Sequence, residues 1–401
     1  MTPLKVLISG SGIGGPVCAY WLNRLSNRLI KTTIIERHAG LRKGGQQIDI
    51  RGAGIEVIRR MGCEEEIRSK TTQEKGIMFI DDDGKPVAEF PMRKGEKTFT
   101  SEFEILRGSL VQTFYDASKD GTEYIFGNHI IDMEQNEDKV IVKLDNGESR
   151  DFDYVIGADG MWSKTRRLAF PDVKDSMKSL GLHVAFFSIP YEKRDGESAQ
   201  WYNIEGGRSI LIRPDNGRYT RAYISTTSPK VRDYHQYPIA GQKALMREHF
   251  LDAGWDAPRI IKGMEEADDF YMQEVAQIKL PYFSRGRVTL LGDAGYCPSL
   301  LSGMGTTLAI VGAYILAGEI VRAGPNYKEA LQNYEEKMRP YVKTAQDLPP
   351  GVPAINNPQS KWGIKLFHKF LSFVSWSHIL PLLSKVSSPP SLEKHFPIYE
   401  A

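Results

Sequence analysis

The sequence predicts an α/β protein in which a parallel-sheet domain is interrupted by an antiparallel β-sheet domain and a C-terminal helix follows. The first fifty residues form a predicted strand, glycine turn, helix and strand, which is a βαβ unit. From about Leu182 to Leu280 polar and apolar residues alternate in short segments, as in antiparallel strands. The strand-to-helix pattern returns at Arg287, so separate pieces of the chain build the parallel-sheet domain.

These patterns divide the chain into three parts. The predicted bounds are 1–75, 101–170 and 285–346 for the parallel-sheet domain, 76–100 and 171–284 for the antiparallel domain, and 347–401 for a linker and C-terminal helical segment. A long helix is predicted from Gly303 through Val321, ending at the Gly324-Pro325 pair. A second, apolar helix is predicted from Trp362 to Leu383, with Pro381 ending or kinking it.

The composition of the 401 residues is that of a globular protein. Charged residues make up 25% and hydrophobic residues 41%, which excludes a disordered chain and a multi-span membrane protein. The formal net charge of +2 gives no reason to expect nucleic acid as a partner, so we predict a small molecule. Three scattered cysteines exclude a disulfide framework and a zinc site, and no metal is expected. With no signal-peptide pattern and no long uncharged apolar run, we predict a cytoplasmic protein without a transmembrane segment.

A glycine fingerprint opens the first helix. Gly10-x-Gly12-x-x-Gly15 lies between a strand and a helix, and Glu36 ends the next strand 21 residues after Gly15. The glycines allow a tight turn, close approach of the backbone to a pyrophosphate, and close packing of the helix on the strand. Glu36 would accept a hydrogen bond from a ribose hydroxyl. The fingerprint predicts a Rossmann-like dinucleotide site but does not distinguish FAD from NAD.

Two further motifs resemble those of a known family. Asp153 to Arg166 contains Gly157-Ala-Asp-Gly160 and is similar to the DG motif of single-component FAD-dependent monooxygenases, the para-hydroxybenzoate hydroxylase family. The segment Arg287 to Ala294, followed by Gly303-x-Gly305, is similar to the GD motif of that family. Longer local matches resemble tetracycline-inactivating monooxygenases, also called tetracycline destructases; they are Arg42–Gly52, Glu104–Leu110 and Gly292–Ser299.

The resemblance implies that the parallel-sheet domain binds FAD and assigns residues to it. Asp293 would accept a hydrogen bond from the ribityl chain, and Gly303 and Gly305 would face the flavin N1/C2 region. Arg107 would contact the flavin; the alternative is an ordinary cation at the start of a helix. Asp159 would serve both FAD and the nicotinamide donor; the alternative is a residue that only forms a turn. The predicted cofactor-binding residues are Gly10, Gly12, Gly15, Glu36, Arg37, Arg42, Arg107, Asp159, Gly160, Asp293, Gly303 and Gly305. Arg42 would meet a phosphate or the flavin edge, with a solvated surface arginine as the alternative.

The implied activity is hydroxylation of an aromatic, phenolic or polyketide substrate, with tetracycline-like compounds included. In the family, NADPH or NADH reduces FAD, and reduced flavin and O₂ form a C4a-hydroperoxide that delivers oxygen, so no catalytic side chain is nominated. Without a second glycine fingerprint, the nicotinamide donor is expected to dock transiently at the FAD site; a second site with another sequence is the alternative.

The GD motif also departs from the family pattern. Tyr296 stands where the family usually has histidine, Leu300 replaces a proline near the flavin, and Met304 replaces a glutamine. These departures keep two other functions open: a flavin protein that binds or sequesters a polycyclic ligand, and a non-oxygenating FAD oxidoreductase.

The antiparallel domain is expected to hold the substrate. Its candidate residues, together with one from the GD motif, are His183, Phe187, Trp201, Tyr202, Arg213, Tyr223 and Leu300, although aromatic residues on strands are also typical of a core. The C-terminal helix would either pack across the two domains, as terminal helices do in the family, or make weak contact with a membrane surface. The oligomeric state is not predicted.

Overall fold

The structure is a computed structural model that describes residues 3–42, 44–72, 74–92, 102–174, 176–215, 218–377 and 396–400. It is an α/β fold, which confirms the predicted class. The strands are β1 Lys5–Ser9, β2 Lys31–Glu36, β3 Gln47–Asp49, β4 Gly76–Ile80, β5 Pro86–Pro91, β6 Glu104–Leu106, β7 Thr122–Phe126, β8 Ile130–Gln135, β9 Val140–Leu144, β10 Ser149–Phe152, β11 Tyr154–Gly157, β12 Met177–Pro190, β13 Ala199–Ile204, β14 Arg208–Asp215, β15 Tyr219–Thr226, β16 Tyr271–Ile278, β17 Ser284–Arg285 and β18 Val288–Leu290. The helices are α1 Gly14–Leu25, α2 Ala53–Met61, α3 Glu64–Ser69, α4 Arg107–Ser118, α5 Lys164–Ala169, α6 Ile239–Phe250, α7 Ala257–Glu266, α8 Asp293–Tyr296, α9 Gly305–Ala323, α10 Tyr327–Gln346 and α11 Lys361–Ser377.

A six-stranded sheet, in the order β17-β18-β11-β1-β2-β7, forms the first domain. All of its neighbouring strands are parallel except the edge strand β17. The central strand β1 carries Val6, Leu7 and Ile8, all fully buried, because helices cover both faces of a parallel sheet. One sheet thus pairs strands from three separate pieces of the chain: the amino-terminal piece, residues near 155 and residues near 289. This was predicted for an interrupted parallel-sheet domain.

A seven-stranded sheet, in the order β16-β12-β15-β14-β13-β4-β5, forms the second domain. Its pairs are antiparallel except for β13 and β4. Helices α6 and α7 pack on one face, where residues such as Phe250 and Ile260 join the core of the sheet. The other face is turned toward the first domain, since Tyr223 on β15 donates a hydrogen bond to Gln47 Oε1 of β3 at 3.2 Å.

Two long helices lie in the core of the first domain. Helix α9 packs on α1, α2 and α10. By length and composition α9 is apolar enough to cross a membrane, but 78% of its apolar window is buried inside the protein. That burial is typical of a core helix. The three cysteines, Cys18, Cys63 and Cys297, are unpaired and buried.

The end of the chain returns to the first domain. Tyr399 packs over Gly318 of α9, its backbone N–H donates to the Tyr314 hydroxyl at 3.0 Å, and its own hydroxyl donates to Glu319. The predicted helix from Trp362 to Leu383 is observed as α11, which ends at Ser377 in the described residues; Pro381 and Leu383 lie outside them.

Candidate functional site

Three loops meet at the carboxyl edge of the six-stranded sheet. They follow β1, β11 and β18, which are neighbouring parallel strands. The backbone N–H of Ala158 donates to Ser9 O at 2.8 Å, and that of Leu291 donates to Gly157 O at 2.9 Å. Arg166 joins the second and third loops by donating from Nη1 to Ala294 O at 2.7 Å. The three motifs therefore form one site, at the edge where parallel α/β sheets bind ligands.

The glycine loop leaves no room for side chains at two positions. A Cβ on Gly10, whose φ is +112°, would lie 2.5 Å from Ala158 O, and a Cβ on Gly15 would lie 2.1 Å from Gly10 O. Helix α1, which begins here, has no side-chain cap and no acidic residue in its first turn. Its N-terminal N–H groups and the positive end of its dipole are thus available to an anion such as a pyrophosphate.

Glu36 lies at the rim of the glycine loop. Its Oε2 accepts hydrogen bonds from the Ser11 backbone N–H and hydroxyl, both at 3.0 Å, and its Oε1 accepts one from the His38 backbone N–H at 3.0 Å. These donors hold the half-buried carboxylate at the end of β2, where a ribose hydroxyl would meet it. Arg37, the next residue, is exposed.

Arg107 connects the glycine loop with the third loop. Its backbone N–H donates to Gln46 O at 3.0 Å, and a Cβ on Gly12 would lie 3.5 Å from its Nη2. Burial and the neighbouring Arg42 lower the pKa of Arg107, while the Tyr271 hydroxyl and the carboxylate of Asp293 raise it. No described carboxylate lies within ion-pair distance of this guanidinium. A partly buried cation aimed at a helix N-terminus is suited to an anionic ligand.

Asp293 begins α8 directly after β18. Asp293 is exposed to the space beside Arg107, which we call the cleft, and the surrounding protein still raises the pKa of its carboxyl by burial while Cys297 and Arg107 lower it. A Cβ on Gly305 would lie 3.7 Å from Asp293 Oδ1. Gly303, with a φ of +62°, would direct a Cβ into open space. The carboxylate thus has an acceptor face toward the cleft.

Asp159 has a local role in this structure. Its Oδ1 accepts from the Ser163 hydroxyl at 2.5 Å, and its Oδ2 accepts from the Thr165 N–H and hydroxyl at 3.0 Å. The carboxylate therefore fixes the start of α5. Gly160, with a φ of +81°, has open space where a side chain would stand, and Arg42 is exposed close to Arg107.

One cross-strand row of side chains covers the inner face of the seven-stranded sheet. The directly paired residues of this aromatic row, from edge to edge, are Ala88, Phe79, Trp201, Leu211, Tyr223, Phe186 and Tyr271. Phe186 stacks on Tyr271 with ring centroids 4.9 Å apart, and Phe79 stacks on Trp201 at 5.5 Å. Tyr271 lies beside Arg107, so one end of the row reaches the three loops. The indole Nε1 of Trp201 is buried and has no hydrogen-bond partner among the described residues, which is rare for a buried donor.

Three predicted substrate residues lie on the opposite face of the sheet from the aromatic row. Phe187 and Tyr202 belong to the core formed with α6 and α7, and His183 contacts Tyr234 of the same core at a centroid distance of 5.7 Å. Side chains alternate between the two faces of a strand, so a neighbour of an inward residue points outward. Along the central parts of β12 and β13 both faces are buried, so the alternation of polar and apolar residues does not distinguish the two faces there.

Arg213, a further predicted substrate residue, is bound to buried partners within the protein. Its guanidinium makes a two-point ion pair with Glu74 at 2.9 Å and 2.9 Å, and donates a further hydrogen bond to Glu104 Oε1. The Thr72 hydroxyl donates to Glu104 Oε2 at 3.1 Å. These contacts join β14 to β6, so Arg213 connects the two domains and does not present its charge to a substrate.

This ion cluster predicts a pH-dependent stability. Burial and the nearby Glu74 raise the pKa of Glu104 from 4.5 to about 8, although Arg213 opposes the shift. The folded chain thus holds this proton more tightly than the unfolded chain. The stabilising contribution of protonated Glu104 to the free energy of unfolding is therefore complete below about pH 4.5 and decreases as the pH rises toward 8. We expect Glu104→Gln to become progressively more stable than the unmodified protein across that range in urea unfolding.

The matched control for this prediction is Glu197→Gln, at a glutamate whose side chain is 68% exposed beside Lys75. Its stability should follow that of the unmodified protein at every pH. A constant difference between Glu104→Gln and the unmodified protein across the range would contradict a retained proton on Glu104.

The three departures in the GD motif lie in different surroundings. Tyr296 points into the core, where its hydroxyl lies 2.9 Å from that of Tyr334, so it does not face the cleft. Leu300 is 51% exposed in a short turn, whereas its neighbour Leu301 packs against the aromatic row. Met304 precedes α9 and donates its N–H to the Ser302 hydroxyl at 3.1 Å. The structure thus places Leu301 against the row in the position expected for Leu300.

Comparison with known proteins agrees with this geometry. A family model described as a FAD binding domain matches residues 3–348. The chain is 36% identical over 393 residues to the FAD-dependent monooxygenase asL6 of Sarocladium schorii, with 93% of this chain and 92% of that protein covered. The flavin-dependent monooxygenase eupH of a Phoma species is 37% identical over 409 residues, with 94% of each chain covered. The chain belongs to the FAD-dependent monooxygenase family.

The fold of this family member also matches a solved structure over its whole length. The crystal structure of tetracycline destructase Tet(51) aligns with a TM-score of 0.78 and 31% identity, covering 100% of both chains. This confirms the predicted resemblance to that branch of the family. The three loops at the sheet edge are therefore the parts of a FAD-binding domain.

Sequence reasoning missed several residues of the inner face. Phe186, Leu211 and Tyr271 belong to the aromatic row but were not predicted, and Gln46 and Gln47 reach the row from the first domain. The sequence offers one way to find these residues: alternate positions along a strand lie on the same face, and Trp201 marks the inward positions of β13. Once one inward residue is known, strand register assigns the others.

Proposed function

We propose that this protein is an NAD(P)H-consuming FAD monooxygenase that hydroxylates an aromatic or polyketide substrate. The observation that carries the proposal is the aromatic row facing the three loops. Flat aromatic side chains offer a wide apolar wall to a flat ring system, and Trp201 Nε1 offers it one unpaired donor.

The residues present fit FAD. The open N-terminus of α1 and the guanidinium of Arg107, which has no carboxylate partner among the described residues, suit a pyrophosphate. Glu36 suits the adenosine ribose, and Asp293 suits the ribityl hydroxyls. Bound FAD would supply hydride acceptance from NAD(P)H and activation of O₂. The protein would bind and orient the cofactor, and the two sheets would exclude water from between them.

The substrate class is inferred from the row and from the relatives. Helix α11 covers the row over β4 and β5, and the remaining part, from Trp201 to Tyr271, spans five strands. This length suits a molecule of several fused rings better than a single phenol. One relative of known structure is named a tetracycline destructase. Tetracyclines and phenolic polyketides are therefore the first compounds to test.

The nicotinamide donor is proposed to use the same cleft as FAD. The sequence has one glycine fingerprint of this type, and two exposed cations lie beside residues of the proposed FAD site: Arg37 follows Glu36, and Arg42 neighbours Arg107. Phosphate groups of NAD(P)H are attracted to such cations.

The decisive experiment is NADPH and NADH oxidation by the purified holoenzyme, with and without each candidate compound, and mass spectrometry of the products. We expect oxidation to accelerate with substrate and the product to gain one oxygen atom. Ligand binding without accelerated oxidation or a new product would instead support a sequestering protein. Oxidation with no oxygen in the product would support a non-oxygenating oxidoreductase.

Two neighbouring residues of β13 allow a matched test of the substrate face. Trp201→Phe removes the unpaired Nε1 and keeps a ring, so KM should rise about 3- to 10-fold with kcat little changed, as for one lost hydrogen bond. Tyr202→Phe removes a hydroxyl that donates to Asp82 at 2.7 Å on the other face, so KM should stay unchanged. Equal effects of the two variants on KM would refute this assignment of faces.

A further inference from the structure

Helix α11 carries large apolar side chains on the side that faces away from the protein. The exposed fractions are 73% for Trp362, 54% for Leu366, 58% for Phe370, 56% for Phe373 and 78% for Trp376. These positions recur every three or four residues, so they form one continuous stripe along the helix. We call these five residues the outer stripe.

The opposite side of α11 is firmly attached to the sheet. Leu371 and Val374 are buried against β4 and β5, and Phe367 contacts Phe79 edge-to-face at 5.9 Å. The Ser375 hydroxyl donates to Glu89 O at 2.7 Å. The helix therefore presents the outer stripe in a fixed direction, and no described residue covers it.

The stripe is large for a surface patch. Four aromatic rings, each more than half exposed, offer on the order of 600 Å² of apolar surface, which equals the largest patches on typical monomers. Such patches are usually contact surfaces for proteins or membranes.

The charges of α11 indicate the kind of partner. The helix contains Lys361, Lys365 and Lys369 and no acidic residue. Lys361 lies 3.9 Å from Glu205, whereas Lys365 and Lys369 have no carboxylate within ion-pair distance among the described residues. A two-fold contact between copies would bring these like charges together, which opposes dimerisation. Lysines beside tryptophan, phenylalanine and leucine are typical of helices that lie in an anionic membrane interface.

We propose that α11 docks this protein on the surface of an anionic lipid membrane. The outer stripe enters the boundary between headgroups and acyl chains, and the two free lysines contact lipid phosphates. Membranes facing the cytoplasm carry anionic lipids, which agrees with the location predicted from the sequence. The inference rests on α11 alone and holds whether or not the proposed hydroxylation is correct.

The test is flotation of the full-length holoenzyme with phosphatidylcholine vesicles, with and without phosphatidylglycerol. We expect binding to the anionic vesicles, a blue shift of tryptophan fluorescence, and weaker binding in high salt. Trp362→Ser/Phe370→Ser/Trp376→Ser should lower binding at least about 10-fold. Lys365→Gln/Lys369→Gln should lower it about 25-fold, at about 5-fold for each lysine.

The matched control is Leu29→Ser/Leu251→Ser, at leucines that are 72% and 62% exposed on other surfaces. This variant should bind vesicles like the unmodified protein. Three results would overturn the proposal: no binding to anionic vesicles, equal binding by the triple serine variant, or a dimer in light scattering that the triple variant abolishes. The last result would identify a second copy as the partner.

Discussion

Asp293→Ala is expected to yield a purified protein without its yellow colour. The carboxyl group stands in the cleft at the end of β18, where burial raises its pKa although Cys297 and the guanidinium of Arg107 oppose the shift. Loss of one hydrogen bond to a charged acceptor weakens binding by about 10- to 100-fold. Flavin absorbance of the purified protein and titration of the apoprotein with FAD measure this loss.

The conservative variant Asp293→Asn separates a binding role from a folding role. Asparagine keeps an acceptor oxygen, so the FAD affinity of Asp293→Asn should lie between those of the unmodified protein and Asp293→Ala. Asp138→Ala, on an exposed loop, serves as the surface control and should retain full colour. An Asp293→Ala protein with unchanged FAD affinity would remove Asp293 from the cofactor site.

Gly15→Ala is expected to abolish the folded holoenzyme. The added Cβ would stand 2.1 Å from Gly10 O and 3.4 Å from Ile8 Cγ2. The oxygen belongs to the backbone of the glycine loop, so relief requires α1 to move away from β1. We expect a loss of at least about 3 kcal/mol in the free energy of unfolding, together with loss of FAD. Thermal unfolding and flavin content measure the two effects.

Gly40→Ala is the matched control. A Cβ there meets nothing within 4 Å, and the backbone of Gly40 does not require a positive φ. The same chemical change should leave stability and colour unchanged or raise stability slightly. A Gly15→Ala protein as stable and as yellow as Gly40→Ala would disprove the close packing of α1 on the glycine loop.

Local patterns were sufficient for the fold class and for the loops of the FAD domain. Glycine spacing between a strand and a helix reflects backbone geometry, so Gly10 and Gly15 are found where a Cβ cannot fit. The domain bounds stay a prediction, and residues 93–100 of the predicted substrate domain lie outside the described residues.

The residues of the proposed substrate face were harder to predict because their positions depend on partners that are distant in the sequence. Arg213 is paired with Glu74 and Glu104, which lie 139 and 109 positions away in the sequence. Phe186 and Phe187 are equally apolar and equally buried, so only the strand register shows which of them faces the cleft. No local pattern carries either kind of information.

The two-sided sheet constrains how this protein can acquire new specificity. Trp201 and Tyr202 are chain neighbours on opposite faces of the sheet: Trp201 lies on the proposed ligand side and Tyr202 packs on the supporting helices. Substitutions in the aromatic row can therefore accumulate during evolution while the helix-packed side stays constant. An inserted or deleted residue within β13 would exchange the two sides and damage both. Divergence of substrate range in this protein should thus proceed by point replacement in the strands, with length variation confined to the turns between them.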